Sequence, residues 1–485
     1  MSTLVQRLAA FVAAAGFADL PPEVVASVKL RVLDTLGISL AAWPLNVGKA
    51  VFGIVEKSGG AGEAAPIGRT ERFPAEQAAF VSGTLAHALD FDDTHLPSIL
   101  HPSAIIVPAA LTAAQSVGAS GKETIAAAAI GYEVCVRIGM AAYVPELRNS
   151  VFFEKGLHGA SIAGALGAAA VATKLRGGSA EEIAHAIGIA ASMAAGLLEA
   201  NRTGGTVKQI HGGWACHAGL WAAKLAAAGF TGPPTVLEGR FGLFYALCDN
   251  RYDPAAITAG LGERWETPGI FFKPYPANHF THAGIDAAIA IRRQYGPITR
   301  DDVEAVELGV AAPTLRTIAE PRQAKVNPES GYAARFSGPF TVASALLGGG
   351  GLGVYLDDFT DEAAQDPARR ALAAKVTCYA DERCEAVYPQ HFPSVLRVHW
   401  RDGTVVEQRV MENRGSPARP LSPAEVRQKF ELNAARALSA NRADGIAGLC
   451  DQLETLADLR ELVSAWAVSA GVPSTRQDHE EGRHE

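Results

Sequence analysis

The sequence predicts a mainly α-helical protein with a large all-helical domain and a smaller α+β domain. Up to about residue 250, apolar side chains recur every three or four positions, as in packed helices. Between residues 303 and 410 they alternate instead, as in strands. Of all residues, 48% are hydrophobic and only 19% are charged. This composition is typical of a globular protein whose core is built from small aliphatic side chains.

The first segment, MSTLVQRLAAFVAAAGFADL, is predicted to be an amphipathic helix. It has neither the charged start nor the cleavage site of a signal peptide. Pro21 and Pro22 stand where the next helix should begin, and Ser179 with Glu182 resembles a capping box. Further helices are predicted within residues 20–42, 71–91, 121–143, 179–200 and 213–230.

The longest uncharged run, residues 156–173, has about the length of a membrane span. It contains several glycines, a histidine and a serine, and lysines flank it. We therefore predict that this run forms a helix buried in the protein.

Proline and aromatic residues become dense in WETPGIFFKPYPAN, residues 265–278, which indicates a domain boundary. Strands are predicted in VEAVELGVA and KVTCYADE, and a hairpin in SVLRVHWRDGTVVEQRV with its turn at Asp402-Gly403. Helices return after residue 420. The predicted division is a helical domain of residues 1–267 and 411–470, an α+β domain of residues 268–410, and a disordered polar tail of residues 471–485.

The charge and the cysteines disfavour several classes of protein. A net charge of -8 without a Lys/Arg cluster is unlike a nucleic-acid or membrane-surface partner. The six cysteines show no CxxC spacing, so we predict neither a disulfide framework nor a structural zinc site. Free thiols and the missing export signal predict a cytoplasmic protein.

The stretch DFDDTHLPSILHPS, residues 90–103, concentrates three carboxylates and two histidines in a chain poor in charge. It follows a predicted helix, and its prolines predict an irregular loop on a rigid support. Metal ligation is one interpretation, although no HxxxH, HExxH or calcium-loop motif accompanies it. A solvated acidic turn is the other.

Polar groups also interrupt glycine-rich or apolar segments elsewhere. Lys208 and His211 lie in a glycine-rich stretch before a helix, an arrangement that suits binding of a carboxylate or phosphate. His158 interrupts a run of small residues, where a core histidine is the alternative. Lys273, Tyr275, His279 and His282 lie at the proposed boundary, which is either a ligand cleft or a proline-stiffened hinge.

Taken together, these motifs resemble the MmgE/PrpD family, which includes 2-methylcitrate dehydratase, cis-aconitate decarboxylase and iminodisuccinate epimerase. The matching segments are AHALDFDDT with HPS, KGLHGAS, GGTVKQIHGGWACHAG, FKPYP with HAGIDA, and ARFSGPF. The resemblance implies a helical large domain, a smaller α+β domain, no metal or organic cofactor, and a homodimer.

The resemblance also implies roles for individual residues. The family's functional aspartate, histidines and lysines fall on Asp90, His101, His158, Lys208 and Lys273. We further predict substrate contacts for Thr94, His211, Tyr275 and Phe340. In decarboxylase-like members a tyrosine stands at the position of Phe340, so that hydroxyl is missing here.

These residue types suit proton abstraction next to a carboxylate. The dianion that forms needs cationic stabilisation, which lysines provide. A histidine whose pKa lies near neutral pH takes or returns the proton. We predict a cofactor-independent lyase that dehydrates a small di- or tricarboxylic acid, with 2-methylcitrate as the type of substrate. The alternatives are an epimerase of an iminodisuccinate-like acid, a cis-aconitate-type decarboxylase, and an inactive carboxylate-binding protein.

Overall fold

The computed structural model describes residues 2–200 and 205–468, so the predicted disordered tail lies outside the described residues. Within the described part the protein is mainly α-helical with a smaller α+β region, which confirms the predicted fold class. The helices of the first half are α1 Leu4–Ala14, α2 Pro22–Ala42, α3 Asn46–Glu56, α4 Ala75–His87, α5 Ser103–Val117, α6 Gly121–Ala141, α7 Val151–Glu154, α8 Gly159–Leu175, α9 Ala180–Met193, α10 His211–Ala227, α11 Leu243–Cys248 and α12 Pro254–Thr258.

The predicted helix starts are confirmed at two positions. Pro22 is the first residue of α2, where its missing N–H costs nothing. The Ser179 hydroxyl accepts a hydrogen bond from the Glu182 backbone N–H at 3.2 Å and so caps α9.

Small residues let three helices approach closely. A Cβ atom at Gly219 of α10 would lie 2.5 Å from Ala168 Cβ and 2.7 Å from the Ala165 carbonyl oxygen of α8. A Cβ atom at Gly213 of α10 would lie 2.3 Å from the Phe80 carbonyl oxygen of α4. The contact is therefore backbone against backbone, and it brings the end of α4 and the starts of α8 and α10 together.

Two helices, α6 and α8, are long or apolar enough to be compared with a membrane-spanning helix. Residues 160–173 of α8 are all buried, as predicted for that uncharged run. By length and composition, helix α6 could cross a membrane. However, 94% of its most apolar stretch is buried inside the protein. A core helix passes the same test, so α6 is weak support for a membrane span.

The second half contains a four-stranded sheet. Strand β5 (Val303–Val310) lies between β6 (Val376–Ala380), to which it is parallel, and β7 (Ser394–Trp400), to which it is antiparallel. Strand β8 (Val405–Val410) completes the sheet through the predicted hairpin with β7. The helices of this region are α13 His282–Tyr295, α14 Ala312–Ile318, α15 Arg322–Val326, α16 Gly331–Ala334, α17 Gly338–Leu347, α18 Asp361–Gln365, α19 Pro367–Ala374 and α20 Glu382–Val387.

The chain then returns to the helical body through α21 Pro423–Ala434, α22 Ala440–Asp451 and α23 Arg460–Trp466. Helix α21 packs on α2, where a Cβ atom at Gly37 would lie 3.0 Å from the Phe430 ring. The buried Lys429 Nζ lies 2.8 Å from Asp34 Oδ1 and fastens the same contact. The largest hydrophobic core includes residues of both the first helices and α21 to α23, and a second core lies within residues 275–410. The domain boundaries themselves stay a prediction.

Two short strand pairings complete the description. Strand β1 (Thr94–His95) pairs antiparallel with β4 (Ile270–Phe271), and β2 (Tyr143–Val144) pairs with β3 (Asn149–Ser150). The β1–β4 pair joins the loop after α4 to the segment that leads into the α+β region, and this is the part of the fold that matters most for the site.

Candidate active site

The loop after α4 carries the sequence DFDDTHLPSILHPS. Asp90 has a φ of 52°, a left-handed conformation that is uncommon outside glycine but that aspartate tolerates. The chain therefore turns sharply beyond α4. Pairing of β1 with β4 places Thr94 opposite Phe271, and this register carries Lys273, two residues further on, toward Asp90.

Asp90 binds two lysines that are far away in sequence. Lys208 Nζ donates to Asp90 Oδ1 at 2.7 Å, and Lys273 Nζ donates to the Asp90 carbonyl oxygen at 3.1 Å and lies 3.5 Å from Oδ2. Burial alone would raise the pKa of Asp90, but the two ammonium groups outweigh it and hold that pKa well below its usual value. Two ammonium groups against one carboxylate leave the buried group with a net positive charge.

Lys208 comes from a short 3-10 turn, Val207–Ile210, that leads directly into α10. Its side chain reaches back to the loop after α4 and is only 5% exposed. Burial disfavours the charged ammonium, but Asp90 and Tyr332 outweigh burial and raise the pKa of Lys208. The residues just before this turn, 201–204, lie outside the described residues.

Four histidines form a row of neighbouring rings. The ring of His87 lies 5.9 Å from that of His101 and 5.2 Å from that of His158, and the His158 ring lies 4.8 Å from that of His211. Burial lowers the pKa of His101 to about 3 and that of His211 to about 4, and it holds the pKa of His158 well below its usual value. These three imidazoles are therefore neutral at pH 7 and able to accept a proton.

The hydrogen bonds of two histidines define their tautomers. His101 Nδ1 donates to the Asp93 carbonyl oxygen at 2.7 Å, which leaves the lone pair on Nε2. Thr94 Oγ1 lies 3.3 Å from the same Nδ1 atom. His87 Nδ1 lies 2.7 Å from Asp92 Oδ2, and within the described part of the chain His87 Nε2 has no hydrogen-bond partner.

Asp92 is ionised in this pair. Burial would raise its pKa, but the electrostatic attraction and hydrogen bond of His87 outweigh burial and lower the pKa of Asp92 to about 2. The carboxylate therefore accepts from Nδ1–H of His87 and orients that ring.

Asp93 has a structural role. Arg31 Nη1 donates to Asp93 Oδ2 at 2.7 Å, and the Ser103 backbone N–H donates to Oδ1 at 3.1 Å. Arg31 Nη2 also donates to the Ile270 carbonyl oxygen at 2.8 Å. Asp93 thus ties α2, the start of α5 and β4 together around the site.

The sequence left two other interpretations of this loop, a solvated acidic turn and a metal site. Asp90, Asp92 and Asp93 are at most 2% exposed, so a solvated acidic turn is wrong. Among residues 2–200 and 205–468, no group of three His, Cys, Asp or Glu side chains is arranged to hold a metal ion.

Most of the predicted residues lie together. The structure joins Asp90 with Lys208 and Lys273, and His87 links His101 to His158. Of the predicted substrate contacts, Thr94 lies beside His101 and His211 beside His158.

Tyr275 and Phe340 lie elsewhere. Both are 0% exposed and belong to the core of the α+β region. The Tyr275 hydroxyl donates to Asp286 Oδ1 at 2.6 Å, so it is already bound inside that core. The Phe340 ring packs at 6.4 Å from the Phe359 ring. This placement does not fit the substrate contacts predicted for the two residues.

The sequence interpretation missed His87, Asp92 and Arg335. His87 stands three residues before Asp90 on the last turn of α4, so helical spacing was the available signal. Arg335 is 7% exposed, and its Nη1 donates to the Leu89 carbonyl oxygen at 2.6 Å. Nothing in its local sequence indicates this contact, because 246 residues separate the two partners.

Models of two protein domains match most of the chain. The MmgE/PrpD N-terminal domain matches residues 6–255, and the MmgE/PrpD C-terminal domain matches residues 275–454. The chain belongs to the MmgE/PrpD family.

Relatives of this chain include cis-aconitate decarboxylases and a 2-methylcitrate dehydratase. The chain is 28% identical to the cis-aconitate decarboxylase-like protein oryM of Aspergillus oryzae, over 92% of this chain and 93% of that protein. It is 29% identical to cis-aconitate decarboxylase of Homo sapiens, over 81% and 79% of the two chains. It is 24% identical to mitochondrial 2-methylcitrate dehydratase of Yarrowia lipolytica, over 38% and 35%. Decarboxylases and dehydratases of this kind are lyases, which matches the predicted enzyme class.

Proposed function

We propose that this MmgE/PrpD protein is a cofactor-independent lyase whose substrate is a small di- or tricarboxylic acid, and that decarboxylation of a cis-aconitate-like acid is its reaction. The observation that carries the proposal is the convergence of Lys208 and Lys273 on Asp90, beside the neutral imidazoles of His101, His158 and His211. Helices α8 and α10 also begin at the histidine row, and helix N-termini favour anions.

The chemistry of such an acid explains the need for these groups. When CO2 leaves the CH2–COO⁻ arm, the C–C bond breaks and its electron pair forms a new C=C bond. The electrons of the original C=C bond move to the carbon beside a second carboxylate, and that carbon takes up a proton. The transient negative charge spreads onto this carboxylate, where buried lysines stabilise it without reorganisation.

Dehydration of a 2-methylcitrate-like hydroxy acid is the second candidate. His101 and His158 are unprotonated at neutral pH, and dehydration starts with abstraction of a proton. We rank decarboxylation first because the decarboxylase relatives align along 81% or more of the chain, whereas the dehydratase aligns along 38%. This order reverses the one expected from the missing hydroxyl at Phe340.

The test is to incubate the purified protein with cis-aconitate, 2-methylcitrate, citrate and iminodisuccinate in D2O and follow the products by NMR. Release of CO2 with one deuterium incorporated supports decarboxylation, and loss of water supports the second candidate. Deuteration at an α-carbon without net loss would instead indicate an epimerase. Tight binding with none of these reactions would contradict the lyase proposal.

Assembly and location are proposals of a different kind. We propose a cytoplasmic homodimer that binds neither nucleic acid nor membranes, on the basis of the family resemblance, the net charge of -8 and the scattered cysteines. A monomer in light scattering at micromolar concentration would contradict the dimer.

A further inference from the structure

Tyr332 lies on α16, a short helix that the surrounding structure holds firmly. A Cβ atom at the preceding Gly331 would lie 2.0 Å from the Phe359 carbonyl oxygen, so the backbone passes in direct contact there. The Gly331 backbone N–H donates to Asp361 Oδ1 at 2.8 Å. The Ser330 hydroxyl accepts from the Ala333 backbone N–H at 3.2 Å and caps the helix. These contacts hold the backbone of Tyr332 in place.

The residues that follow α16 connect it to the active site. Arg335 donates to the carbonyl oxygen of Leu89, the residue before Asp90, at 2.6 Å. The Phe336 ring lies 5.4 Å from the Tyr332 ring and 5.7 Å from Lys208 Nζ. One aromatic ring thus contacts both Tyr332 and the lysine that binds Asp90.

The Tyr332 hydroxyl has no hydrogen-bond partner within the described part of the chain. The side chain is only partly buried. Burial raises the pKa of the phenol above its usual value, and the charges of Lys208, Asp90 and Asp92 all act on it. Tyr332 therefore keeps its proton at neutral pH and is close enough to the charged group to interact with it.

We propose that Tyr332 is the proton donor of the reaction. This inference rests on the proposed decarboxylation. As CO2 leaves, the Tyr332 O–H bond breaks and its proton forms the new C–H bond at the carbon beside the remaining carboxylate. The tyrosinate that results lies near the ammonium of Lys208, and a proton from water restores the phenol. One proton is consumed for each CO2 released, as the balance requires.

Tyr332→Phe tests this assignment because it removes one oxygen that supports no described contact. We expect the thermal midpoint to be unchanged and kcat on cis-aconitate to fall about 100-fold, the range expected for loss of a general acid. Binding of tricarballylate, a saturated analogue, should stay within about threefold of wild type by calorimetry, because the donor acts mainly in the transition state. Tyr379→Phe is the matched control, since Tyr379 lies on β6 and its hydroxyl donates to Asp381 at 3.2 Å.

The possible results separate the two proposals. Wild-type turnover together with an unchanged kcat in Tyr332→Phe would overturn the role of Tyr332 alone. An equal loss of tricarballylate binding and turnover would also overturn it, since Tyr332 would then only hold the substrate. If the wild-type protein turns over none of the four acids, the proposed function fails and this inference fails with it.

Discussion

His101 and Lys208 perform different tasks in one buried site. His101 presents a neutral Nε2 atom, and Lys208 places a permanent positive charge beside Asp90. We expect His101→Ala and Lys208→Ala each to reduce turnover about 100-fold or more, as for loss of a general base or of a group that stabilises an oxyanion. NMR assays of the purified variants on cis-aconitate measure this effect.

His391→Ala is a suitable control for these variants, because His391 is 40% exposed and pairs with Glu412 on the surface. It should keep full activity. If both site variants also keep full activity, the site assignment is wrong, and not only the choice of substrate.

Asp92 orients the ring of His87. Its carboxylate holds the Nδ1 proton of His87 at 2.7 Å and thereby directs Nε2 to the neighbouring rings. In Asp92→Asn the amide can present N–H to Nδ1, so the opposite tautomer becomes accessible. We expect kcat to fall at least about tenfold with KM within about threefold of wild type. Parallel losses of folding and activity would contradict an orienting role.

At the scale of helices, the contact between α8 and α10 depends on Gly219. A methyl group there would lie 2.5 Å from Ala168 Cβ, closer than carbon atoms pack. We expect Gly219→Ala to destabilise the protein by about 1–3 kcal/mol in urea unfolding, the usual cost of overpacking a core.

Gly53→Ala provides the comparison for Gly219→Ala. Gly53 lies within helix α3, and a Cβ atom there has nothing within 4 Å. Alanine favours a helix by roughly 0.5–1 kcal/mol over glycine, so this variant should be neutral or more stable. Equal effects of the two substitutions would show that close packing is not what the glycine at position 219 provides.

At the scale of the whole molecule, the histidines make stability depend on pH. Burial lowers the pKa of seven of them, His95, His101, His158, His211, His217, His279 and His282. In the unfolded chain each takes up a proton near pH 6.5, whereas in the folded protein it does so only at lower pH. Their contribution to stability is thus complete above pH 6.5 and is lost as the pH falls.

Three carboxyl groups act in the opposite direction, because burial raises the pKa of Asp34 to about 6 and also raises the pKa of Glu133 and Asp286. The histidines outnumber them, so the unfolded state binds more protons overall. Each extra proton is equivalent to about 1.4 kcal/mol per pH unit. We expect the free energy of unfolding to be several kcal/mol lower at pH 5.5 than at pH 7.5 by urea titration. An equal or higher value at pH 5.5 would contradict this account.

Local sequence patterns determined the secondary structure of most long elements. The spacing of apolar residues is set by which face of a helix or strand is buried, so α2, α4, α6, α9, α10 and the β7–β8 hairpin could be predicted before any contact was known. Motifs that resemble the MmgE/PrpD family pointed to Asp90, His101, His158, Lys208 and Lys273 as members of one site. These side chains are costly to bury, and in a chain so poor in charge they stand out.

Only the tertiary structure decided which of the polar residues work together. Asp90, Asp92 and Asp93 are close neighbours in sequence, yet they bind Lys208, His87 and Arg31 respectively. Tyr275 was predicted to contact the substrate, but its hydroxyl donates to Asp286. Tyr332 lies near Lys208 because Arg335 and Phe336 hold its helix there. The contacts of Asp90 with Lys208 and of Arg335 with Leu89 join residues more than 100 positions apart. Such contacts depend on how helices and domains pack, and the local spacing of side chains carries no record of that packing.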